Sequence, residues 1–301
     1  MIDLDRLTTE QRNAATLHID ELSVSDMLRT IHDEDRKVFE AVENALPIIA
    51  RAVEIIAVRL KKGGRLFYLG AGTSGRLGIL DAVECPPTFG TNPELIQGVI
   101  AGGMNAVFRA QEGAEDSLTL AQEDLRERGL SSLDVLCGIA ASGRTPYVVG
   151  GLDYARSLGA ATIAVACTPD SPIAALADVA ITAVTGPEVI TGSTRLKAGT
   201  AQKIILNMLS TGAMIRLGKV YGNLMVDVKS SNAKLEERAR RIVIEATGKS
   251  RAEAEEALAK ASGSAKLAIL MLLANLPAEE AQRQLAAADG YIRRALKGGS
   301  S

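Results

Sequence analysis

Two short segments rich in glycine and hydroxyl side chains give the 301-residue chain a means of binding a phosphate group. They are Gly70-Ala-Gly-Thr-Ser-Gly75 and Ala141-Ser-Gly-Arg-Thr145. Each follows a short apolar run and precedes a helical pattern, so its amides would meet an anion at a helix N-terminus while its hydroxyls add donors. The expected phosphate-binding residues are Ser74, Ser142 and Thr145, assisted by Thr73 and by the amides of Gly75 and Gly143.

The first segment also matches the G-x-G-x-x-G pattern of dinucleotide-binding proteins. That pattern requires an acidic residue about 20 positions further on, at the end of the next strand, to hold a ribose. Here the next apolar run ends in Ala101-Gly-Gly103, without a carboxylate. The sequence therefore argues against a nicotinamide cofactor. Glycine turns that serve only close packing would also explain either segment by itself, but the pair favours a phosphate site.

Five short apolar runs alternate with helical patterns and predict the sheet that positions these segments. The predicted strands are Arg65–Leu69, Leu95–Ile100, Val135–Ala140, Thr162–Ala166 and Val179–Val184. Strands that are apolar on both faces and alternate with helices indicate an α/β fold, a five-stranded doubly wound parallel sheet covered by helices on both sides. In the strand order 2-1-3-4-5, the winding reverses between strands 1 and 3. Both glycine segments would then meet at the ligand-binding edge.

Helical patterns flank this core on both sides. Residues up to about Glu21 predict an arm, and apolar residues spaced by three and four from Val24 to Lys62 predict helices, the second beginning at Pro47. A long helix is predicted over Arg195–Leu217, followed by short helices. We predict three parts: an N-terminal arm with helices that pack on the core domain (1–62), the phosphate-binding core domain (63–225), and a C-terminal helical region that ends in a small bundle (226–301).

Charge and aromatic content argue against nucleic acid as a partner. The chain carries 34 basic and 36 acidic side chains, a formal net charge of −2, and its aromatic content is 3% with no Trp. Nucleic-acid binders usually present a basic face, often with aromatic rings on which bases stack. A polar ligand of this chain must therefore be held by hydroxyls, amides and local charges.

The sequence indicates neither a metal site nor a hydrolase triad. His18 and His32 have no Cys or second His at ligand spacing, and no His follows Ser74 in the chain. The three cysteines form no C-x-x-C pair, so we expect thiols in a reducing cytoplasm. The longest apolar runs are shorter than the roughly 18 to 20 residues that span a bilayer, so no membrane partner is expected.

Longer strings of residues resemble one family, the N-acetylmuramic acid 6-phosphate etherases, which have the sugar isomerase fold. The resemblance covers essentially the whole chain, and the string that begins at Gly192 is its most specific part. The matching strings are Leu7-Thr-Thr-Glu-Gln-Arg-Asn13, Asp33-Glu-Asp35, Gly70-Ala-Gly-Thr-Ser-Gly-Arg-Leu77, Glu112-Gly-Ala-Glu-Asp116, Ala141-Ser-Gly-Arg-Thr-Pro146 and Gly192-Ser-Thr-Arg-Leu-Lys-Ala-Gly-Thr-Ala-Gln-Lys203. Residues 63–225 would then be the sugar isomerase domain that binds the phosphosugar.

The resemblance implies a carbon–oxygen lyase that needs no cofactor. The family removes the D-lactyl ether from C3 of N-acetylmuramic acid 6-phosphate, giving N-acetylglucosamine 6-phosphate and D-lactate in cell-wall sugar recycling or catabolism. Because the aldehyde of the opened ring acidifies the C2 proton, a base can remove that proton, lactate can leave from C3, and water can add to the double bond. The resemblance implies that Glu115 is the base and that Glu84 donates a proton to the departing lactate.

Glu84 raises a geometric question that leads to a prediction about assembly. It follows Ser74 by ten positions in an apolar stretch, a setting that could raise the pKa of a carboxyl group. A straight helix would place Glu84 about 15 Å from the phosphate segment, beyond the reach of the bound sugar. Either the helix ends before Pro86-Pro87, or Glu84 serves the site of a second subunit. We predict a homodimer with shared active sites.

Arg195 and Lys197 head the last long helix of the core and are expected to meet the lactyl carboxylate or the phosphate. Ala140-Ala141 departs from the hydroxyl or amide side chains that many sugar isomerase domains carry before the second serine. Two other functions stay open on this fold: a regulator, related to the glucokinase regulators, that senses a phosphosugar without turnover, and an aldose–ketose isomerase. The two glutamates favour the etherase.

Overall fold

A parallel sheet of five strands organises the larger part of the protein. The computed structural model describes residues 8–109, 111, 113–228 and 233–298. The strands are β1 (Leu66–Gly70), β2 (Ile96–Ile100), β3 (Val135–Ile139), β4 (Ala161–Ala166) and β5 (Val179–Thr182). Their order is β2-β1-β3-β4-β5, which confirms the predicted doubly wound sheet. The strand bounds differ from the predicted ones by one or two residues.

The middle of the sheet is buried on both faces. Leu66 of β1 pairs with Ile96 of β2 on one side and with Val135 of β3 on the other. All five residues of β1 and of β3 are buried, as expected for parallel strands covered by helices on both sides. The connecting helices are α3 (Gly72–Phe89), α4 (Asn105–Phe108), α5 (Leu120–Glu127), α6 (Pro146–Ser157) and α7 (Pro172–Leu176).

Between residue 8 and the sheet, the structure has three short 3-10 turns and two helices. The turns are Thr8–Glu10, Ala14–Thr16 and Ile19–Glu21, and the helices are α1 (Val24–Asp35) and α2 (Lys37–Lys61). The prediction that Pro47 begins a helix is wrong, because Pro47 lies inside α2. A proline there removes one helical hydrogen bond. Buried Val42, Ala45 and Ile49 lie on either side of Pro47, and their packing outweighs that loss.

The helix α8 (Lys197–Arg216) follows β5, and the remaining helices are α9 (Ala233–Thr247), α10 (Arg251–Lys260), α11 (Ala265–Ala274), α12 (Ala278–Ala287) and α13 (Ile292–Ala295). Contacts divide the chain into two compact units, Met1–Val83 with Glu94–Ser210 and Glu84–Pro93 with Thr211–Ser301. The second unit has an apolar core of its own. The domain boundaries expected at 62/63 and 225/226 stay a prediction.

The small helices of the second unit begin where the sequence indicates. Ser250 caps α10: its hydroxyl accepts a hydrogen bond from the Glu253 amide, and the Glu253 carboxylate accepts one from the Ser250 amide. Within the described residues, no single helix is long and apolar enough to cross a membrane. The pair α10 and α11 meets the length and composition requirements only jointly, across a bend of 114°.

Candidate active site

The loops that follow β1 and β3 line one cavity of about 400 Å³ at the carboxyl ends of these strands. This is the edge where the winding of the sheet reverses, the usual ligand position in open α/β sheets. Four of the predicted phosphate-binding residues line it, together with the predicted base. The described lining residues are Glu10, Ala71, Gly72, Thr73, Ser74, Glu115, Asp116, Ala140, Ala141, Ser142, Arg144, Thr145, Pro146 and Thr194.

The first loop presents the beginning of a long helix to the cavity. Because α3 begins at Gly72, the amides of its first turn have no carbonyl of a preceding turn to bind. Thr73 and Ser74 lie in that turn, and Ser74 is buried with 8% of its surface exposed. The Ser74 hydroxyl donates to Oε1 of Gln202 on α8 at 2.9 Å. An anion here would meet amides, hydroxyls and the positive end of the helix dipole.

Two glycines that were expected to offer amides to the ligand have another role. The Gly75 amide donates to the Ala71 carbonyl at 3.2 Å, and the Gly143 amide donates to the Ala140 carbonyl at 3.0 Å. Neither glycine is among the described residues that line the cavity. Their amides donate to carbonyls of the chain itself, and their expected binding of the ligand stays a prediction.

Both glycines are instead required by close packing. A Cβ at position 75 would lie 2.7 Å from the Gly70 carbonyl oxygen and 2.6 Å from Ile100 Cγ1. Gly143 has φ +67°, and a Cβ there would overlap the side chain of Ser171. A larger residue at either position would displace the loop that carries the hydroxyls.

The second loop ends at another helix. Thr145 is the N-cap of α6 and Pro146 occupies its first position, where a missing amide costs nothing. The Thr145 side chain makes no capping hydrogen bond to the described part of α6. Ser142 is half-buried at the cavity. Both hydroxyls therefore face a second helix N-terminus with room for a ligand.

A buried carboxylate fixes the first loop relative to α8. Asp81 of α3 accepts hydrogen bonds from Tyr68 Oη of β1 at 2.9 Å, from Asn207 Nδ2 at 2.7 Å and from Ser210 Oγ at 3.1 Å. Burial raises the pKa of Asp81 in spite of these three donors. Because the network joins β1, α3 and α8, it holds Ser74 and Gln202 in register.

Carboxylates also lie at the cavity. Glu115 and Asp116 belong to a 3-10 turn over Ala114–Asp116, preceded by Gly113 in the left-handed region at φ 84°. Both side chains are exposed and line the cavity. The turn thus presents an accessible carboxylate, Glu115, to any ligand that the loops after β1 and β3 hold.

Glu84 is placed differently. The helix α3 continues through Pro86 and Pro87 to Phe89, so the alternative in which it ends before them is wrong. Glu84 belongs to the second unit, is exposed, and is not among the described residues that line the cavity. Its apolar neighbours Leu80 and Val83 are exposed as well. The apolar stretch therefore does not bury this carboxyl group within the chain.

Lys197 is directed to the interior rather than to the cavity, and its expected contact with the substrate stays a prediction. Its ammonium donates to Glu34 Oε2 at 2.7 Å, and the residue is fully buried. The first amides of α8, those of Lys197 and Ala198, both donate to the Glu188 carboxylate at 2.9 Å. Both the ammonium and this helix start thus already have anionic partners. Arg195 is exposed and is not among the described lining residues, and its substrate role stays a prediction.

Several residues that line the cavity have no role in the predictions from sequence. Glu10 comes from the N-terminal arm and Thr194 from the loop before α8, while Arg144 and Asp116 flank predicted residues. Glu10 Oε2 lies 3.0 Å from the position of a Cβ on Gly192. A signal existed: Glu10 and Thr194 fall inside two of the strings that resemble the etherases.

A larger cavity, about 620 Å³, lies in the second unit, but its main charged side chains already pair with each other. It is lined by apolar residues and by charged side chains such as Arg240 and Glu255. Arg240 Nε lies 2.9 Å from Glu255 Oε1, and Arg240 also pairs with Glu237. Arg240 therefore already has carboxylate partners.

Segments of the chain match three family models. The glucokinase regulatory protein N-terminal SIS domain matches residues 48–156, the SIS domain matches 114–212, and the C-terminal lid domain of glucokinase regulatory protein matches 222–267. Among solved structures, phosphoheptose isomerase GmhA from Neisseria gonorrhoeae aligns with a TM-score of 0.49 and 17% identity, over 64% of this chain and 98% of that one.

Two curated relatives match almost from end to end. The N-acetylmuramic acid 6-phosphate etherase of Photobacterium profundum is 59% identical over 298 residues, which cover 99% of each chain. The protein of the same name from Clostridium beijerinckii is 56% identical, over 98% of this chain and 97% of its own. Identity of this extent over the full length shows that the chain belongs to the N-acetylmuramic acid 6-phosphate etherase family.

Proposed function

We propose that the protein cleaves the D-lactyl ether of N-acetylmuramic acid 6-phosphate to N-acetylglucosamine 6-phosphate and D-lactate. The observation that carries this proposal is the cavity in which the loops after β1 and β3 meet Glu115. One ligand can thus have its phosphate held by helix amides and hydroxyls while a carboxylate reaches its carbon skeleton. The activity serves the recycling or catabolism of cell-wall amino sugars.

The phosphate is the part of the substrate by which the protein holds the sugar. We assign Ser74 and Thr73, in the first turn of α3, and Ser142 and Thr145, before α6, as its hydroxyl ligands. The N-termini of these two helices offset the phosphate charge where the chain as a whole is nearly neutral. This arrangement leaves the C2 and C3 end of the opened sugar toward the carboxylates.

The reaction proceeds by elimination and addition. With the ring open, the C1 aldehyde acidifies the C2 proton, and Glu115 removes it. The C2–H electrons form the C2=C3 double bond as the C3–O bond breaks, and Glu84 protonates the departing lactate oxygen. Water then adds its hydroxyl to C3 and a proton returns to C2. No net oxidation occurs, so the scheme requires no redox cofactor.

The other two functions are less well supported. Family models named for glucokinase regulatory protein match segments of the chain, but the relatives that are 56–59% identical over nearly all of it are named etherases. A regulator that binds without turnover would also have no need for an accessible carboxylate beside its phosphate site. An isomerase would share the removal of the C2 proton but would release no lactate.

Purified protein is expected to release D-lactate from N-acetylmuramic acid 6-phosphate, with N-acetylglucosamine 6-phosphate as the other product. In water enriched in ¹⁸O, the product should carry solvent oxygen at C3, because the original oxygen leaves with lactate. Coupled assay of D-lactate and mass spectrometry of the sugar measure both. Folded protein that releases no lactate would contradict the proposed activity, and retention of the original C3 oxygen would exclude elimination.

We infer that the active form is a homodimer in which Glu84 of each subunit serves the site of the other. The inference is supported by the unbroken helix α3, which carries Glu84 ten residues away from Ser74. On that helix, Leu80 and Val83 are 48% and 58% exposed, and with Glu84 they follow the i, i+3, i+4 spacing of one helix face. An exposed apolar face beside a catalytic group is what a second subunit would cover.

Mixed dimers test this sharing directly. Glu84→Gln and Glu115→Gln subunits are each expected to be inactive alone. Co-expressed in equal amounts, they should recover about a quarter of the wild-type activity, because half of the dimers are mixed and each has one intact site. Dimers purified through two different tags are all mixed, so their lactate release should be about half that of wild-type dimers. Mixed dimers without activity would place both glutamates in one subunit, and a monomer in sedimentation would contradict the dimer.

We also infer a cytoplasmic location. Cys85, Cys137 and Cys167 are all buried as thiols, which suits a reducing compartment. The phosphorylated substrate is an anion that does not cross a bilayer unaided, so it must be made on the same side of the membrane as the enzyme.

A further inference from the structure

Gln202 of α8 has an unsatisfied donor next to the phosphate loop. The residue is 1% exposed, and its Oε1 accepts the Ser74 hydroxyl proton at 2.9 Å. Its Nε2 is buried and has no hydrogen-bond partner among the described residues. A buried N–H without a partner is rare and destabilising, and such a group in a native protein calls for an explanation.

Phosphate binding changes what the Ser74 hydroxyl must do. A hydroxyl has one proton to donate, and Ser74 donates it to Gln202 Oε1. A phosphate dianion has acceptors and no donor, so Ser74 must donate to the phosphate instead. If Gln202 kept its orientation, Oε1 would then face the lone pairs of Ser74 Oγ across 2.9 Å, which is repulsive.

We propose that Gln202 is a positioning residue whose side-chain amide turns over when phosphate binds, a role that rests on the proposed binding of phosphate at Ser74. A half-turn about the terminal bond exchanges Oε1 and Nε2. Nε2 then donates to Ser74 Oγ while the Ser74 proton goes to the phosphate. One of the two N–H groups on Nε2 gains a partner, and Oε1 becomes a buried carbonyl oxygen, which tolerates the lack of a partner better than an N–H group does.

The surroundings favour a change of this kind. The network on Asp81 joins α3 to α8, so the distance between Ser74 Oγ and the Gln202 amide is kept while the amide rotates. A hydroxyl that accepts from an amide N–H is also a better donor to a charged phosphate, because consecutive hydrogen bonds polarise one another. Gln202 thus strengthens the hydrogen bond from Ser74 to the phosphate without contacting the phosphate itself.

Three substitutions test the role of the amide. Gln202→Met removes donor and acceptor, Gln202→Asn keeps the amide on a side chain too short for Ser74, and Gln202→Glu keeps acceptors only and adds charge. We expect KM, and Kd for N-acetylglucosamine 6-phosphate by calorimetry, to rise about 10- to 100-fold, most for Glu, with kcat changed by less than about threefold. Gln282→Glu, the same change on the exposed face of α12, is the control.

A double-mutant cycle separates this role from general support of the fold. If Gln202 acts through Ser74, adding Gln202→Met to Ser74→Ala should weaken binding by less than about twofold beyond Ser74→Ala alone. Full additivity would overturn the proposal, and so would unchanged KM and Kd in the three variants. If wild-type protein itself binds no phosphosugar, the proposed function fails. If wild type binds and the variants bind equally well, the role of Gln202 fails and the function stands.

Discussion

Glu115→Gln is expected to lower kcat for D-lactate release by about 10² to 10⁴, the usual range for loss of a general base. The amide has nearly the shape of the carboxylate but cannot accept the C2 proton. Because the loops proposed to bind phosphate are separate from the turn that carries Glu115, affinity for the product N-acetylglucosamine 6-phosphate should change by less than about twofold. Lactate assays and calorimetry measure the two quantities on the same preparation.

Proton exchange locates the defect at one chemical step. Wild-type protein should exchange the C2 hydrogen of the product with solvent deuterium, and the Glu115→Gln variant should lose this exchange together with lactate release. Glu123→Gln, on the exposed side of α5, is the matched control and should keep both. If Asp116→Asn abolished the exchange while Glu115→Gln retained it, the base would be the neighbouring carboxylate and the assignment would be wrong.

Glu34→Gln is expected to lower the free energy of unfolding by about 3 to 5 kcal/mol, the cost of removing one partner from a buried ion pair. Lys197 is fully buried, and its ammonium lies 2.7 Å from Glu34 Oε2. Asn13 Nδ2 donates to the same oxygen at 2.8 Å. The substitution removes the carboxylate that is hydrogen-bonded to this buried ammonium. Denaturation in urea followed by circular dichroism measures the difference.

The stability difference between wild type and Glu34→Gln should depend on pH in a definite direction. Burial alone would raise the pKa of Glu34, but hydrogen bonds from Lys197, Lys37 and Asn13 outweigh it and lower the pKa from 4.5 to about 2. The folded protein therefore holds the carboxylate more strongly than the unfolded chain does. The stabilisation is present above about pH 4.5 and is lost as the pH falls toward 2, so the gap between wild type and Glu34→Gln should narrow over that range.

Two further variants decide between an ion pair and simple packing. Glu34→Gln combined with Lys197→Met removes both charges, so the double variant should be more stable than Glu34→Gln alone. Asp33→Asn, at the preceding position of α1, removes an exposed carboxylate 3.9 Å from Arg36 and should cost less than about 0.5 kcal/mol. A double variant less stable than Glu34→Gln would contradict the role of the unpaired charge.

The sheet and the position of the cavity follow from local sequence and general rules. Runs such as Leu66–Leu69 and Val135–Ile139 are apolar on both faces and end at glycine turns, which indicates buried parallel strands. The winding rule then places the loops after β1 and β3 side by side, although they are about 70 positions apart in the chain. The sequence alone therefore predicts that Ser74, Ser142 and Thr145 lie close together in the fold.

Local sequence does not show which distant residue a polar side chain contacts. Lys197 next to Arg195 looks like a surface cation, and its partner Glu34 lies 163 positions earlier. Gln202 lies 128 positions from Ser74, and its unsatisfied amide is visible only in three dimensions. Pro47, Pro86 and Pro87 suggest helix boundaries from propensity, but the helices continue because tertiary packing outweighs one lost hydrogen bond each.

The ion pair between Glu34 and Lys197 can form only after the ribosome has added Lys197, long after α1 has been made. At about 5 to 20 residues per second, the ribosome adds Lys197 roughly 8 to 30 s after Glu34. During that interval α1 has no buried cation to receive its carboxylate. The arm cannot form its contacts during that interval either, because the side chains of Asn13 and Thr16 donate to the carbonyls of Pro187 and Val189.

Glu10 lies three residues before Asn13, so the arm brings its carboxylate to the cavity only after these contacts form. A nascent chain that already has β1, β3 and both hydroxyl loops would therefore still lack one wall of its cavity. The cavity is therefore complete only after residues 187–194 have been added and the arm has bound them.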